Sequence, residues 1–237
     1  MGADGDVKQE QPTEADKPPK TTGGRRPQQR TVETRLRIIR AAMSQFAQVG
    51  FEAATTRGIA EAADVPHSLV IYHFRSKDEL WHEAVREAVQ WYARRDFGVL
   101  GPVKDGDPVA RLKRNFAQYI RFSAENPDFF LMLSQENRAP SERLTWLMER
   151  HSAPTTTYLT ELIRKAQDLG AFVEGDPVTL LYLFLGAATS PYRSAPEIQI
   201  LTGRSPMTPE AVEAHIAHCE RLFFRDPPDR PRRLRPS

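Results

Sequence analysis

The sequence predicts an all-α chain, and three observations carry that prediction. Apolar residues recur at three- and four-residue spacing along most of the 237 residues, the mark of helices with one buried face. Four dipeptides, Asp107-Pro108, Asn126-Pro127, Asp176-Pro177 and Thr208-Pro209, each set a capping side chain just before a proline suited to the first helical position. No run shows the alternating, β-branched, turn-bounded character of a strand, and no repeat of fixed period appears.

Residues 1–29 are rich in Pro, Gln, Lys, Glu and Gly and hold one large aliphatic residue, Val7. Such a segment cannot bury enough surface to offset the entropy of ordering, so a disordered arm is expected. Its end, GGRRPQQR, is basic; it suits a DNA groove, or is an unstructured lead with incidental charge. From Thr31 the pattern turns helical. Leu36, Ile39, Met43 and Phe46 share a stripe, and Gly50-Phe51 reads as a left-handed stop with its apolar lid. A second helix starts at Thr55, whose hydroxyl can cap the first turn, and runs to about Ala63. Gly58 inside it costs about 1 kcal/mol against Ala, so tertiary packing must hold this short element. Ser76-Lys77-Asp78-Glu79 has capping-box spacing and opens a helix through Leu80, Ala84, Ala88 and Trp91. Beyond Asp107 come four amphipathic runs: Leu112 to Ile120, Phe129 to Leu133, Leu144 to Met148, and Tyr158 to Ile163, the last closed by Gly170.

Composition excludes several classes. Hydrophobic residues at 40% and charged residues at 27% suit an ordinary globular protein. No run reaches the roughly 18 apolar residues of a membrane span, and MGADGDVKQEQPTEADK lacks a secretory apolar core, so the cytoplasm is expected. The single Cys219 makes no internal disulfide and offers no metal cluster. His215 and Cys219 stand at i, i+4, but two ligands are too few for a metal site. Gly-x-Ser-x-Gly, a phosphate loop and His-Glu-x-x-His are all absent, so neither an enzyme nor a cofactor is expected. The net charge of +2 is unevenly spread: Arg25, Arg26, Arg30, Arg35, Arg37, Arg40, Arg57 and Arg75 face only Glu33, Glu52, Glu61 and Asp64 between Arg25 and Arg75. A local cationic excess favours an anionic polymer, although a solvated charged face has the same composition.

The break in IAEAADVPHSLVIYHF is the most informative stretch. Asp64-Val65-Pro66 interrupts one helix and the next restarts at once; Pro66 denies an amide to any continuation, and Asp64 tolerates left-handed backbone. Two short helices joined so tightly cross steeply, as in a helix-turn-helix. Ile59, Ala60, Val65 and Val70 would seat the pair on Phe46. His67, Ser68, Leu69, Tyr72 and His73 would then stand clear, with side chains suited to base edges, thymine methyls and phosphates in a major groove. The alternative is an αα-corner of a bundle, with Tyr72 and Phe74 in its core.

Over Thr31 to Trp81, the segments IIRAAMSQFAQVGFEAATT, the IA of IAEAADV, and IYHFRSKDEL together resemble the DNA-binding domain of the TetR family of bacterial transcriptional regulators. Two departures stand out. Asp64 occupies a usual Gly position. Ile71 stands where a Tyr is usual and cannot hydrogen-bond a phosphate, leaving that contact to Tyr72 or His73. The resemblance implies that Thr55, Arg57, His67, Ser68, Leu69, Tyr72, His73 and Lys77 touch DNA, Arg57 and Lys77 on phosphates and His67, Ser68 and Leu69 on bases. It implies a helix-turn-helix domain over residues 30–78 and a larger α-helical ligand-binding and dimerisation domain over 79–225; beyond these, RPRRLRPS makes residues 226–237 a basic, Pro- and Arg-rich tail.

The resemblance further implies a repressor that binds a palindromic operator in double-stranded DNA as a homodimer and is released by a small, largely apolar or aromatic effector. A regulator controlled by a protein partner, or an activator, is the alternative. Candidate cavity residues are Phe116, Tyr119, Phe122, Phe130, Trp146, Tyr158 and Tyr182, with Arg121, Arg138 or Arg193 as anchors for an anionic group. The run beginning LLYLFLGAATS at Leu180 is apolar nearly all round, and the last helix carries a broad apolar face. Leu180, Phe184, Ala187, Ala188, Val212, Ile216, Cys219 and Phe223 are therefore expected at the dimer interface, the alternative being that both helices complete the core of one chain.

Overall fold

The computed structural model describes residues 25–94 and 106–226. Among these the regular structure is helical, joined by turns and short loops, apart from one isolated antiparallel bridge between Phe172 and Phe224. Helix α1 spans Arg25–Ala53. Its start corrects the expected arm, because residues 25–29 join the helix; Pro27 falls in the first turn, where amide groups have no intrahelical partner to lose. The remainder of the arm, residues 1–24, and the tail beyond Asp226 lie outside the described residues. At Gly50 the backbone leaves the helix with φ 77° and ψ 169°. A Cβ there would meet nothing within 4 Å, so the demand on Gly50 is conformational, not steric. Phe51 then folds back on Phe46, with ring centroids 5.6 Å apart.

Helix α2 is Thr56–Ala62, capped by Thr55, whose Oγ1 accepts the Gly58 N–H at 3.0 Å. Helix α3 is His67–His73 and α4 is Lys77–Arg94. At the head of α4 the Ser76 hydroxyl accepts the Glu79 N–H at 3.0 Å, and the Glu79 carboxylate accepts the Arg75 N–H at 2.8 Å. That is a capping box closed one residue further back than usual.

The rest comprises α5 (Pro108–Glu125), α6 (Pro127–Glu136), α7 (Glu142–Leu147), a π-helical turn (Met148–Ser152), α8 (Ala153–Asp168), α9 (Pro177–Arg193), α10 (Ala195–Thr202) and α11 (Pro209–Phe223). All four predicted prolines open a helix. Asp107, Asp176 and Thr208 cap as expected, accepting amides from Val109, Thr179 and Ala211. Asn126 departs from the pattern: its side-chain amide donates to the Phe122 carbonyl at 3.0 Å, closing α5 instead of opening α6.

Two apolar cores organise these helices. One gathers Ile39, Phe46, Ile59, Val70, Phe74, Leu80 and Trp81 and continues without a break into Phe122, Phe129, Phe130 and Met132. The other holds Leu112, Phe116, Ile120, Leu162, Ile163, Phe184, Ile216 and Phe223. Full burial of each such side chain contributes about 1.5–3 kcal/mol. Helix α4 sends Leu80 and Trp81 into the first core and Val89 and Tyr92 toward the body. The expected domain division at residues 78 and 79 thus falls inside α4.

Candidate functional site

The turn between α2 and α3 is made as the sequence requires. Asp64 sits at φ 50°, the one positive-φ residue other than glycine among those described, and the Val65 amide reaches back to the Ala60 carbonyl at 3.1 Å. Helix α3 buries only Val70, against a frame that includes the buried Ile59, Phe46 and Phe74. Its remaining surface faces outward. Tyr72 is 78% exposed, Ile71 47% and Leu69 36%, with Ser68 exposed between them.

The two histidines differ. The His67 Nε2 lies 3.0 Å from the Thr56 hydroxyl, tying the start of α3 to the start of α2. His73 is half-buried between the rings of Tyr72 and Phe74. Burial and the nearby Arg35 lower its pKa, so this ring is neutral at neutral pH. Arg57, on α2, and Thr55, its N-cap, are both exposed. The Thr55 oxygen accepts the capping amide, and its proton stays free to be donated.

Lys77 requires a correction. Its Nζ donates to the carbonyls of Phe51 at 2.7 Å, Glu52 at 3.1 Å and Ala54 at 3.1 Å, and lies 4.4 Å from the Phe51 ring centroid. An ammonium has three protons, and all three are committed to the end of α1. Lys77 therefore locks α4 onto α1 and is not available to a phosphate. Arg143 covers the other contact of the same ring at 3.5 Å and reaches Glu136 at 3.2 Å and Asp78 at 3.5 Å. The body is thereby clamped to the head at Phe51.

Within the body, a cavity of about 210 Å³ lies between α4, α5, α6, α8 and α9. Four of the expected residues line it, Phe116, Tyr119, Phe122 and Phe130, joined by Val89, Tyr92, Phe129, Leu133, Leu147, Leu159, Leu181, Phe184 and Leu185. Burial drives the phenol pKa of Tyr92 and Tyr119 well above the usual range, so both stay neutral. The remaining polar lining is Asn115, His151, Ser152, Thr155 and Thr156, and no Asp, Glu, Lys or Arg is among it.

The other candidates lie elsewhere. Trp146 packs outside the cavity against Trp81, His82 and His151, at centroid distances of 6.1, 4.3 and 5.0 Å, and borders a surface groove. Tyr158 accepts a hydrogen bond from Arg111 at 3.4 Å, and Tyr182 is 59% exposed on the outward side of α9. Arg121 forms a two-bond pair with Glu213 at 2.7 and 2.8 Å, Arg138 bonds Gln135, and Arg193 is exposed. None of the three anchors an anion in the cavity. His151 and Ser152, on the π-helical turn, are lining residues that periodicity could not find, because a π turn shifts side chains off the 3.6-residue register.

Seven of the eight expected dimer residues turn inward instead. Leu180, Phe184, Ala188, Val212, Ile216, Cys219 and Phe223 are buried in the chain's own second core, with the Phe184 ring stacked on Phe116 at 3.4 Å and edge-on to Phe223 at 5.8 Å. Ala187 is half-buried, its carbonyl bonded by His215 Nε2 at 3.1 Å. A helix apolar on all sides gives no sequence sign of which side faces home. The outward sides carry Val178, Tyr182, Leu183 and Gly186 on α9, Ile200 and Leu201 on α10, and Leu222 on α11.

A three-helix head with one projecting helix, continuous through α4 with a helical body, defines an all-α helix-turn-helix regulator. The family model described as bacterial regulatory proteins, tetR family, matches residues 38–84, and that of the tetracyclin repressor-like C-terminal domain matches 108–222. The chain belongs to the TetR family of transcriptional regulators. It is 28% identical over 216 residues to the HTH-type transcriptional regulator RutR of Escherichia coli K12, covering 86% of this chain and 94% of that one. It is 23% identical over 154 residues to the HTH-type transcriptional repressor KstR2 of Mycobacterium tuberculosis H37Rv, covering 64% and 76%. The fold is similar to that of PfmR, a TetR family transcriptional regulator from Thermus thermophilus, with a TM-score of 0.57 and 22% identity over 79% of this chain and 94% of that one.

Proposed function

We propose that this regulator is a repressor that binds a palindromic operator as a homodimer and is released by a small, largely apolar effector. The observation that carries the proposal is the uncharged, aromatic-lined cavity bordered by the same helix, α4, that packs into the head. Ser68, Leu69, Ile71 and Tyr72 project together from α3. Hydroxyl and phenol groups meet base edges or phosphates, while Leu69 and Ile71 suit thymine methyls. The family's phosphate contact passes to Tyr72, since Ile71 has no polar atom. Arg57 holds a backbone phosphate.

The second copy docks on the outward side of α9 and α11. Tyr182, Leu183 and Leu222 supply apolar area there, and Gly186, with open space around it, admits a close helix. Two-fold symmetry then sets two α3 helices on half-sites about 34 Å or a multiple apart. An effector that displaces Val89 or Tyr92, or shifts His151 against Trp146 and so Trp81, tilts α4 and spoils that spacing. The name of KstR2 as a repressor supports the direction of control. Footprinting on the promoter beside its own gene, with mass measured in the same buffer, tests the proposal. A protected palindrome bound by a species of twice the chain mass is expected; a monomer, or no protection in dilute salt, overturns it.

A further inference from the structure

Two buried side-chain polar atoms lack a hydrogen-bond partner among the described residues, the Tyr192 hydroxyl and His151 Nε2. Tyr192 belongs to the second core and does not line the cavity, whereas His151 does. An unpaired buried polar group costs about 1–3 kcal/mol, so a partner delivered to Nε2 recovers that cost.

We infer that His151 is the polar anchor of the cavity, and that the cavity selects a neutral one-ring aromatic molecule bearing one hydroxyl and a short aliphatic tail. This rests on the ligand-released reading above and narrows it. Size is the first constraint. An apolar cavity of about 150 Å³ accommodates benzene, and about 210 Å³ here leaves room for a ring with a short substituent. Charge is the second. No ionic side chain lines the space, so a carboxylate placed there would be desolvated with no counter-ion in direct contact.

The anchor's chemistry is the third constraint. Burial first, then Arg86 and Arg150, lower the His151 pKa, so the ring presents either a lone pair or an N–H at Nε2. A hydroxyl both donates and accepts and so satisfies either tautomer. A carbonyl satisfies one, and a hydrocarbon neither.

The full chain is titrated with 4-propylphenol, propylbenzene and 4-propylbenzoate. Melting temperature and tryptophan fluorescence are the readouts, because the Trp146 ring meets His151 edge-on, with centroids 5.0 Å apart. The phenol is expected to bind about tenfold tighter than the hydrocarbon, the worth of one buried hydrogen bond, and the benzoate more weakly than either. In His151→Leu the phenol and hydrocarbon should converge, while His151→Gln, which keeps a polar group near the same place, should retain the preference. Equal binding of phenol and hydrocarbon to the natural chain, or a preference surviving in His151→Leu, overturns the anchor and leaves the cavity reading intact. Tighter binding of the benzoate overturns the neutral class. If neither the phenol nor the hydrocarbon raises the melting temperature, the cavity reading itself falls and takes the anchor with it.

Discussion

Helix α3 and helix α9 make opposite uses of an exposed surface. Helix α3 buries one residue, Val70, and holds its place through the Asp64 turn, the His67 to Thr56 bond and a frame of other helices' side chains. Helix α9 buries six residues, Leu180, Leu181, Phe184, Ala188, Thr189 and Tyr192, and still leaves Tyr182 and Leu183 each 59% exposed. A seven-residue helix has room for one inward side, and the Asp64 turn and the His67 bond fix which one it is. A long helix apolar on every side has several, and only the packed fold selects among them.

Two charge insertions into the body separate its inward side from its outward side. Ile216→Glu puts a carboxylate into the second core, where Ile216 is 7% exposed, and should destabilise the chain by about 4 kcal/mol or more. Leu183→Glu lies on the outward side and should leave the fold intact while halving the mass by light scattering. If Ile216→Glu gives a stable folded monomer, the assignment of inner and outer sides is reversed.

A second pair probes the head. Lys77→Met removes three charge-assisted bonds to the end of α1 and should lower stability to urea by about 2 kcal/mol. Arg57→Ala should leave unfolding unchanged, weaken DNA binding on all sequences alike, and reduce the salt slope of log affinity by about one. A base-selective loss in Arg57→Ala would place that side chain in the groove instead.

The smallest effect is a pH dependence. His73, His151 and His215 all have pKa values lowered by burial. In each the unfolded chain takes up a proton more readily than the fold does. Their stability contribution is therefore complete above about pH 6.5, the unfolded value, and is lost progressively as pH falls below it. The urea midpoint should drop between pH 7.5 and pH 5.5; a midpoint that rises over that interval contradicts the sign.

These elements also show what a sequence makes legible. Gly50, Thr55, Asp64 and the cap-proline pairs at Asp107, Asp176 and Thr208 announce themselves because their demands are local, a dihedral angle or an unpaired amide. Phe116, Tyr119, Phe122 and Phe130 were legible as inward aromatics, since α5 and α6 each have one wide apolar side. Lys77 was not legible, because its three acceptors are carbonyls 23 to 26 residues away in sequence. His151 was hidden by the π turn. The outward side of α9 was hidden by the very richness of its apolar residues.

The first core ignores the seam between head and body. Phe129, Phe130 and Met132 sit in it beside Phe46 and Trp81, and Gln135 bonds the Ala47 carbonyl at 3.4 Å. The helix-turn-helix head is accordingly no detachable cartridge. Grafting residues 30–78 alone onto a foreign chassis would leave one flank of α1 greasy and unroofed, so a working chimera has to carry α6 along or rebuild its footprint.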